Sequence, residues 1–185
     1  FDSLDSALDF YTSYLLELKD RAGARPLVTT GFCYSAGFLV EINKRTPGLI
    51  DGMAHSGLII PDRKIGLDYS IAVESKMYED ALIRENPAVR VRADRIYAEL
   101  GWTHDRNPFG NVQTLILKGQ NDPFMTPAAC QLFQKWASQF PETVNYMEIE
   151  GGGHGVFRPI ANFPQSTATV RQAVLALIDR VVTSK

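Results

Sequence analysis

Three short runs of this sequence hold side chains able to do covalent chemistry. Gly31-Phe32-Cys33-Tyr34-Ser35-Ala36-Gly37 offers a thiol and a hydroxyl two positions apart. Gly119-Gln120-Asn121-Asp122-Pro123 carries a carboxylate, and Gly151-Gly152-Gly153-His154-Gly155 an imidazole. A thiol or hydroxyl becomes an effective nucleophile when an imidazole takes its proton, and the imidazole serves best when a carboxylate fixes its tautomer and stabilises its cation. Each run also has a bland explanation: a buried structural cysteine, a turn aspartate before proline, a solvated histidine among glycines. Their order along the chain, nucleophile then acid then histidine, is what a single site would require.

Two frames compete for the nucleophile. A sharp strand-to-helix turn needs small residues two places before and after its tip, because larger side chains would strike the adjoining strand and helix. Centred on Cys33, those residues are Gly31 and Ser35; centred on Ser35, they are Cys33 and Gly37. The Cys33 frame is favoured because it puts glycine on the tighter, strand side. A thiol at a helix N-terminus beside a histidine is also readily turned into a thiolate.

The elements that must position these groups are read from apolar spacing. Leu4, Leu8, Tyr11, Leu15 and Leu18 recur at three- and four-residue steps, predicting an amphipathic helix over 2–22 that Gly23 ends. Residues 25–30 read as a short strand, and helical spacing resumes over 38–45. Further strands are expected at 49–55, 112–117 and 144–149, with helices over 127–140 and 166–182. Strands alternating with helices predict a mostly parallel sheet covered on both faces. The stretch 59–111 breaks the rhythm, with more charge, helical patterns at 71–82 and 89–100 and no convincing strand. It is read as an inserted helical cap, dividing the chain into a core of 1–58 and 112–185 and a lid of 59–111.

Placed on that framework, Cys33, Asp122 and His154 fall on successive strand ends, in the order seen in α/β-hydrolases. The GFCYSAG turn with its cysteine, the TLILKGQNDPF stretch and the EGGGHGVF loop resemble the dienelactone hydrolase family over about 26–55 and 112–182. The resemblance implies an α/β-hydrolase fold and a Cys33–His154–Asp122 triad that opens lactones or activated esters through an acyl-enzyme. Two features depart from that family's pattern: the segment 59–111 is larger than its usual connection, and position 35 is Ser where glycine is usual. Tyr34, whose N–H directly follows the nucleophile, is the expected oxyanion donor. Ser35, His55, Phe124 and Trp102 complete the expected surroundings of the oxyanion and substrate. Tyr69, Tyr78, Tyr97 and His104 are further candidates beneath the cap. Glu150 and Asp105 are the acids next in line after Asp122.

Composition sets outer bounds. At 185 residues, with 45% hydrophobic and 22% charged residues, the chain suits one globular domain. A formal net charge of -2 with no basic run argues against nucleic acid or an anionic membrane surface as partner, leaving small organic substrates. Two cysteines are too few for a disulfide scaffold and fit a reducing, cytoplasmic compartment. The three histidines His55, His104 and His154 are dispersed, so no metal site and no cofactor is expected. The sequence opens at Phe1, and only one helix precedes the nucleophile strand. The chain is therefore expected to be the C-terminal portion of the fold, completed by an N-terminal complement that covers the strand edge.

The expected activity is hydrolysis of an ester, lactone or thioester. An acyltransferase or cyclase would use the same triad, and a non-catalytic binding protein could retain the same fold.

Overall fold

The computed structural model describes residues 3–61, 100, 102, 106–160 and 162–184. The helical patterns at 71–82 and 89–100, together with Tyr69, Tyr78, Tyr97, His104 and Asp105, lie outside the described residues, save Leu100, which is buried.

Helix α1 (Leu4–Ala22) starts at a reciprocal cap: the Ser3 hydroxyl accepts the Ser6 N–H and the Ser6 hydroxyl accepts the Ser3 N–H, satisfying two backbone donors that a helix start leaves orphaned. Leu4, Leu8 and Leu15 from the predicted stripe are buried. At its far end Gly23, at φ 63°, turns its N–H back to the carbonyls of Lys19 and Asp20. Strand β1 (Val28–Phe32) follows, then α2 (Tyr34–Arg45), β2 (Gly52–Ser56), β3 (Gln113–Gly119), α3 (Pro127–Gln139), β4 (Val144–Ile149) and α4 (Pro164–Thr183). Thr126 caps α3 through its hydroxyl, and Pro127 and Pro164 occupy first-turn positions where no N–H is needed.

The four strands among the described residues are all parallel, in the order β1-β2-β3-β4. Alternate residues of β2 and β3 enter opposite cores. Met53 and Ile116 face the side covered by α1, α2 and α3, where Val40, Leu8, Phe133 and Trp136 pack. Ala54, Leu115 and Leu117 face α4, meeting Val170, Leu177 and Val181. Burial on both faces explains why β3 reads as a continuous apolar run. Removing the fully buried Leu117 side chain to Ala would cost about 2–5 kcal/mol.

The first three strands sit slightly later than their apolar runs predict, while β4 falls at 144–149 as predicted. At β1 the cause is a side chain: Asp51 accepts the Leu27 N–H at 2.7 Å, taking it out of the ladder, while the Leu27 carbonyl receives the N–H groups of Asp51 and Gly52. Regular pairing thus begins with Val28 opposite Gly52. Lys19 also pairs with Asp51, tying α1 to this junction. Helix α2 begins four residues before its apolar spacing resumes, because the turn at Cys33 is already its first turn, with the Ala36 N–H on the Cys33 carbonyl. Among the described residues no helix is long and apolar enough to cross a membrane.

Candidate active site

β1 ends at Phe32 and α2 starts at Tyr34, leaving Cys33 alone between strand and helix. Its backbone lies at φ 55°, ψ -128°, a conformation that costs a non-glycine residue roughly 1–3 kcal/mol and persists only where the surroundings impose it. The imposing contacts are short. A Cβ on Gly31 would stand 2.6 Å from the Ala36 Cα and 2.9 Å from His55 Nδ1, so glycine is required on the strand side of the turn. On the helix side, Ser35 bonds back through its hydroxyl, accepting the Phe32 N–H at 2.9 Å and donating to the Phe32 carbonyl at 2.6 Å. Serine in place of glycine thereby becomes a clasp across the turn. Ser35 lies within α2, and Cys33 stands at the tip of the turn. The Cys33 N–H donates to the Ser56 carbonyl at 3.1 Å, and Tyr34 N–H belongs to the first residue of α2, directly after the tip.

The loops after β3 and β4 are knitted to each other. Gln120 N–H donates to Ile149 O at 2.9 Å and Asn121 N–H to Gly152 O at 2.8 Å. This brings Asp122 and His154, both buried, face to face: Nδ1 of His154 lies 3.0 Å from Oδ1 and 2.9 Å from Oδ2 of Asp122. The carboxylate also accepts the Phe124 N–H at 2.9 Å. The imidazole is held between the rings of Phe32 and Phe124, with centroids at 4.9 and 4.7 Å in edge-on contact. Burial on its own would lower the His154 pKa. Hydrogen bonding to Asp122 and to the Cys33 side chain outweighs burial and raises it to about 9. With Nδ1 taken by the carboxylate, Nε2 is the ring nitrogen that remains. An imidazole held in this way by a carboxylate can accept and return a proton at its other nitrogen.

The other expected residues are placed as follows. Phe124 packs on His154. His55 is fully buried opposite Gly31, stacked on Phe109 at 6.0 Å, with neither ring nitrogen partnered among the described residues; burial lowers its pKa to about 3. Trp102 is buried, edge-on to Phe109 at 6.3 Å and with the Lys44 ammonium 5.3 Å from its ring centre. Glu150 lies on the surface beside α4, lining a shallow hollow with Gln165 and Thr169. Among the described residues no group of three or more His, Cys, Asp or Glu could hold a metal ion.

Two residues at the site carry no signal in the motifs. The Ser56 hydroxyl donates to the His154 carbonyl at 3.1 Å and accepts the Val156 N–H at 2.9 Å. Gly57, at φ 59°, lies against the imidazole: a Cβ there would stand 2.7 Å from Nδ1. Their only trace in the sequence is a small polar residue and a glycine at the C-terminal end of β2, the sheet end where sites in open α/β folds gather.

No protein-family model matches the chain, and comparison with curated proteins finds no match. Solved structures do match. An α/β-hydrolase enzyme from a lagoon-sediment metagenome is 16% identical at TM-score 0.57, covering 93% of this chain and 71% of the other. A monoglyceride lipase from Saccharomyces cerevisiae, in complex with a substrate analogue, is 15% identical at TM-score 0.62, covering 96% and 68%. An N-acyl homoserine lactonase complexed with N-hexanoyl homoserine is 16% identical at TM-score 0.57, covering 93% and 70%. At such identities the likeness is one of fold. The parallel sheet and these neighbours give the chain the α/β-hydrolase fold.

Proposed function

We propose that the protein hydrolyses an ester, lactone or thioester through an acyl-enzyme on Cys33, as in the dienelactone hydrolase-like type. The observation that carries the reading is the pairing of a cysteine at a φ 55° strand-to-helix tip with an imidazole raised to about 9 and bonded to a buried carboxylate. An imidazolium of that pKa is the natural counter-ion of a thiolate. The neighbours add support, since a lipase and a lactonase share the fold.

In this mechanism the Cys33 thiolate attacks the substrate carbonyl carbon, and the Tyr34 N–H donates to the developing oxyanion. Collapse breaks the bond to the leaving oxygen or sulfur, which takes the proton from His154 Nε2. Water then attacks the thioester, giving its proton to His154; the C–S bond breaks, releasing the acid product and the thiolate. Asp122 keeps Nδ1 protonated throughout. Phe32 and Phe124 limit rotation of the ring. No proton transfer is assigned to His55, which backs Gly31 of the turn and stacks on Phe109.

A panel of acyl thioesters, aryl esters and lactones, assayed for released acid with wild type and Cys33→Ala, tests the proposal. Acid release by wild type that vanishes in Cys33→Ala is expected. Equal release by both proteins, or release by neither, would overturn it.

A further inference from the structure

We infer that Ser56 is a positioning residue that sets Cys33 and His154 in register. The inference rests on the triad proposed above but concerns a residue outside it. Ser56 is fully buried at the end of β2 and touches both reactive segments. Its carbonyl holds the Cys33 N–H at 3.1 Å, on the backbone of the strained tip. Its hydroxyl donates to the His154 carbonyl at 3.1 Å and accepts the Val156 N–H at 2.9 Å, spanning Gly155 and fixing the backbone as it leaves the histidine. The next residue extends the junction to the strand that carries the acid: the Gly57 N–H donates to the Leu117 carbonyl at 3.3 Å.

The histidine loop needs such a tether. Four of the five residues at 151–155 are glycines, the residues with the most conformational freedom to lose. The bonds from Asn121 to Gly152 and from Gly152 to Ile149 fix the first half of the loop. Among the described residues, the backbone of His154 to Val156 is held by the Ser56 hydroxyl alone, and the imidazole by Asp122. Replacing the hydroxyl with hydrogen would leave a buried carbonyl and a buried N–H unsatisfied. The loop would relax away from β2, and the imidazole with it. Gly57 sets the opposite limit, since a Cβ there would stand 2.6 Å from the His154 carbonyl oxygen. The two residues together leave the imidazole one seat.

The test is Ser56→Ala, read by two independent measurements. Titration of the His154 ring protons by NMR should give about 9 in wild type and a clearly lower value in the variant, as contact with Asp122 and the thiol loosens. Ester turnover should show kcat reduced by roughly 100-fold with KM little changed, the size of loss that a small misplacement of a catalytic group brings. Thr114→Val, a substitution of another buried hydroxyl in the sheet, should lower the melting temperature and leave the His154 titration in place. If Ser56→Ala does not fold, amide exchange in wild type decides: the Val156 N–H should be strongly protected, and exchange at the rate of an open loop would overturn the inference. A folded Ser56→Ala with His154 still at about 9 and kcat intact would also overturn it. A shifted His154 in a protein whose wild type hydrolyses nothing would sustain the positioning role and remove the hydrolase reading.

Discussion

Nδ1 of His154 lies 2.9 Å from Oδ2 of Asp122, across 32 residues of chain, in a pocket that hides both side chains from water. A carboxylate bonded to imidazole in such surroundings favours the charged imidazolium, and the value of about 9 follows although burial alone acts in the opposite sense. Asp122→Asn removes that charge. The His154 pKa should fall from about 9 to below its ordinary 6.5, because burial is then less opposed, and hydrolysis should slow by roughly four orders of magnitude with the fold retained. NMR titration and steady-state kinetics on the same preparation would check both; near-wild-type turnover would move the acid to another residue.

The same shift has a consequence for stability. His154 binds its proton more tightly folded, at about 9, than unfolded, near 6.5. The contribution is therefore full below pH 6.5 and is lost as pH rises through 9. Urea unfolding at pH 6 and pH 10 should show wild type losing on the order of 3 kcal/mol more than His154→Gln over that interval. Parallel curves for the two proteins would contradict the assignment of the raised pKa.

His55 carries the opposite sign. Burial holds it neutral down to about 3, while the unfolded chain takes up a proton near 6.5, so its contribution is present above pH 6.5 and lost as pH falls toward 3. His55→Leu replaces an imidazole whose two nitrogens have no partner among the described residues by a side chain of similar bulk. The variant should gain on the order of 2 kcal/mol relative to wild type at pH 5 compared with pH 8. An acid unfolding midpoint that does not move would show that His55 is protonated in the folded protein.

The turn gives a steric prediction. Gly31→Ala would press a methyl to 2.6 Å from the Ala36 backbone, displacing the tip that carries Cys33. Activity should be lost with a destabilisation of about 1–3 kcal/mol. Ser35→Ala loses only the clasp to Phe32, worth about 1 kcal/mol, and should slow turnover modestly. Thermal unfolding with kinetics separates these; loss of all activity in Ser35→Ala would reopen the choice of nucleophile.

Much of this arrangement is legible in the residues themselves. The leucine spacing of α1, the two-sided apolar run of β3 and the glycines around Cys33 and His154 are local patterns, and local patterns report local structure. Strand starts are less legible because a side chain decides one of them: nothing in residues 25–30 tells that Asp51, 24 positions after Leu27, takes its N–H. The clasp of Ser35 looks like a departure from the expected glycine until its hydroxyl is seen to bond Phe32. The role of Ser56 leaves only a small polar residue at a strand end to read, since its side-chain partners lie 98 and 100 residues away.

The central claim is that the sulfur of Cys33 forms the covalent intermediate. Intact-mass spectrometry of protein quenched during turnover of an activated aryl ester, followed by peptide mapping, tests it most directly. One acyl group is expected, bound as a thioester at Cys33, discharged by neutral hydroxylamine, absent from Cys33→Ala and retained in Ser35→Ala. An acyl group on the Ser35 oxygen, or an adduct that persists in Cys33→Ala, would contradict it.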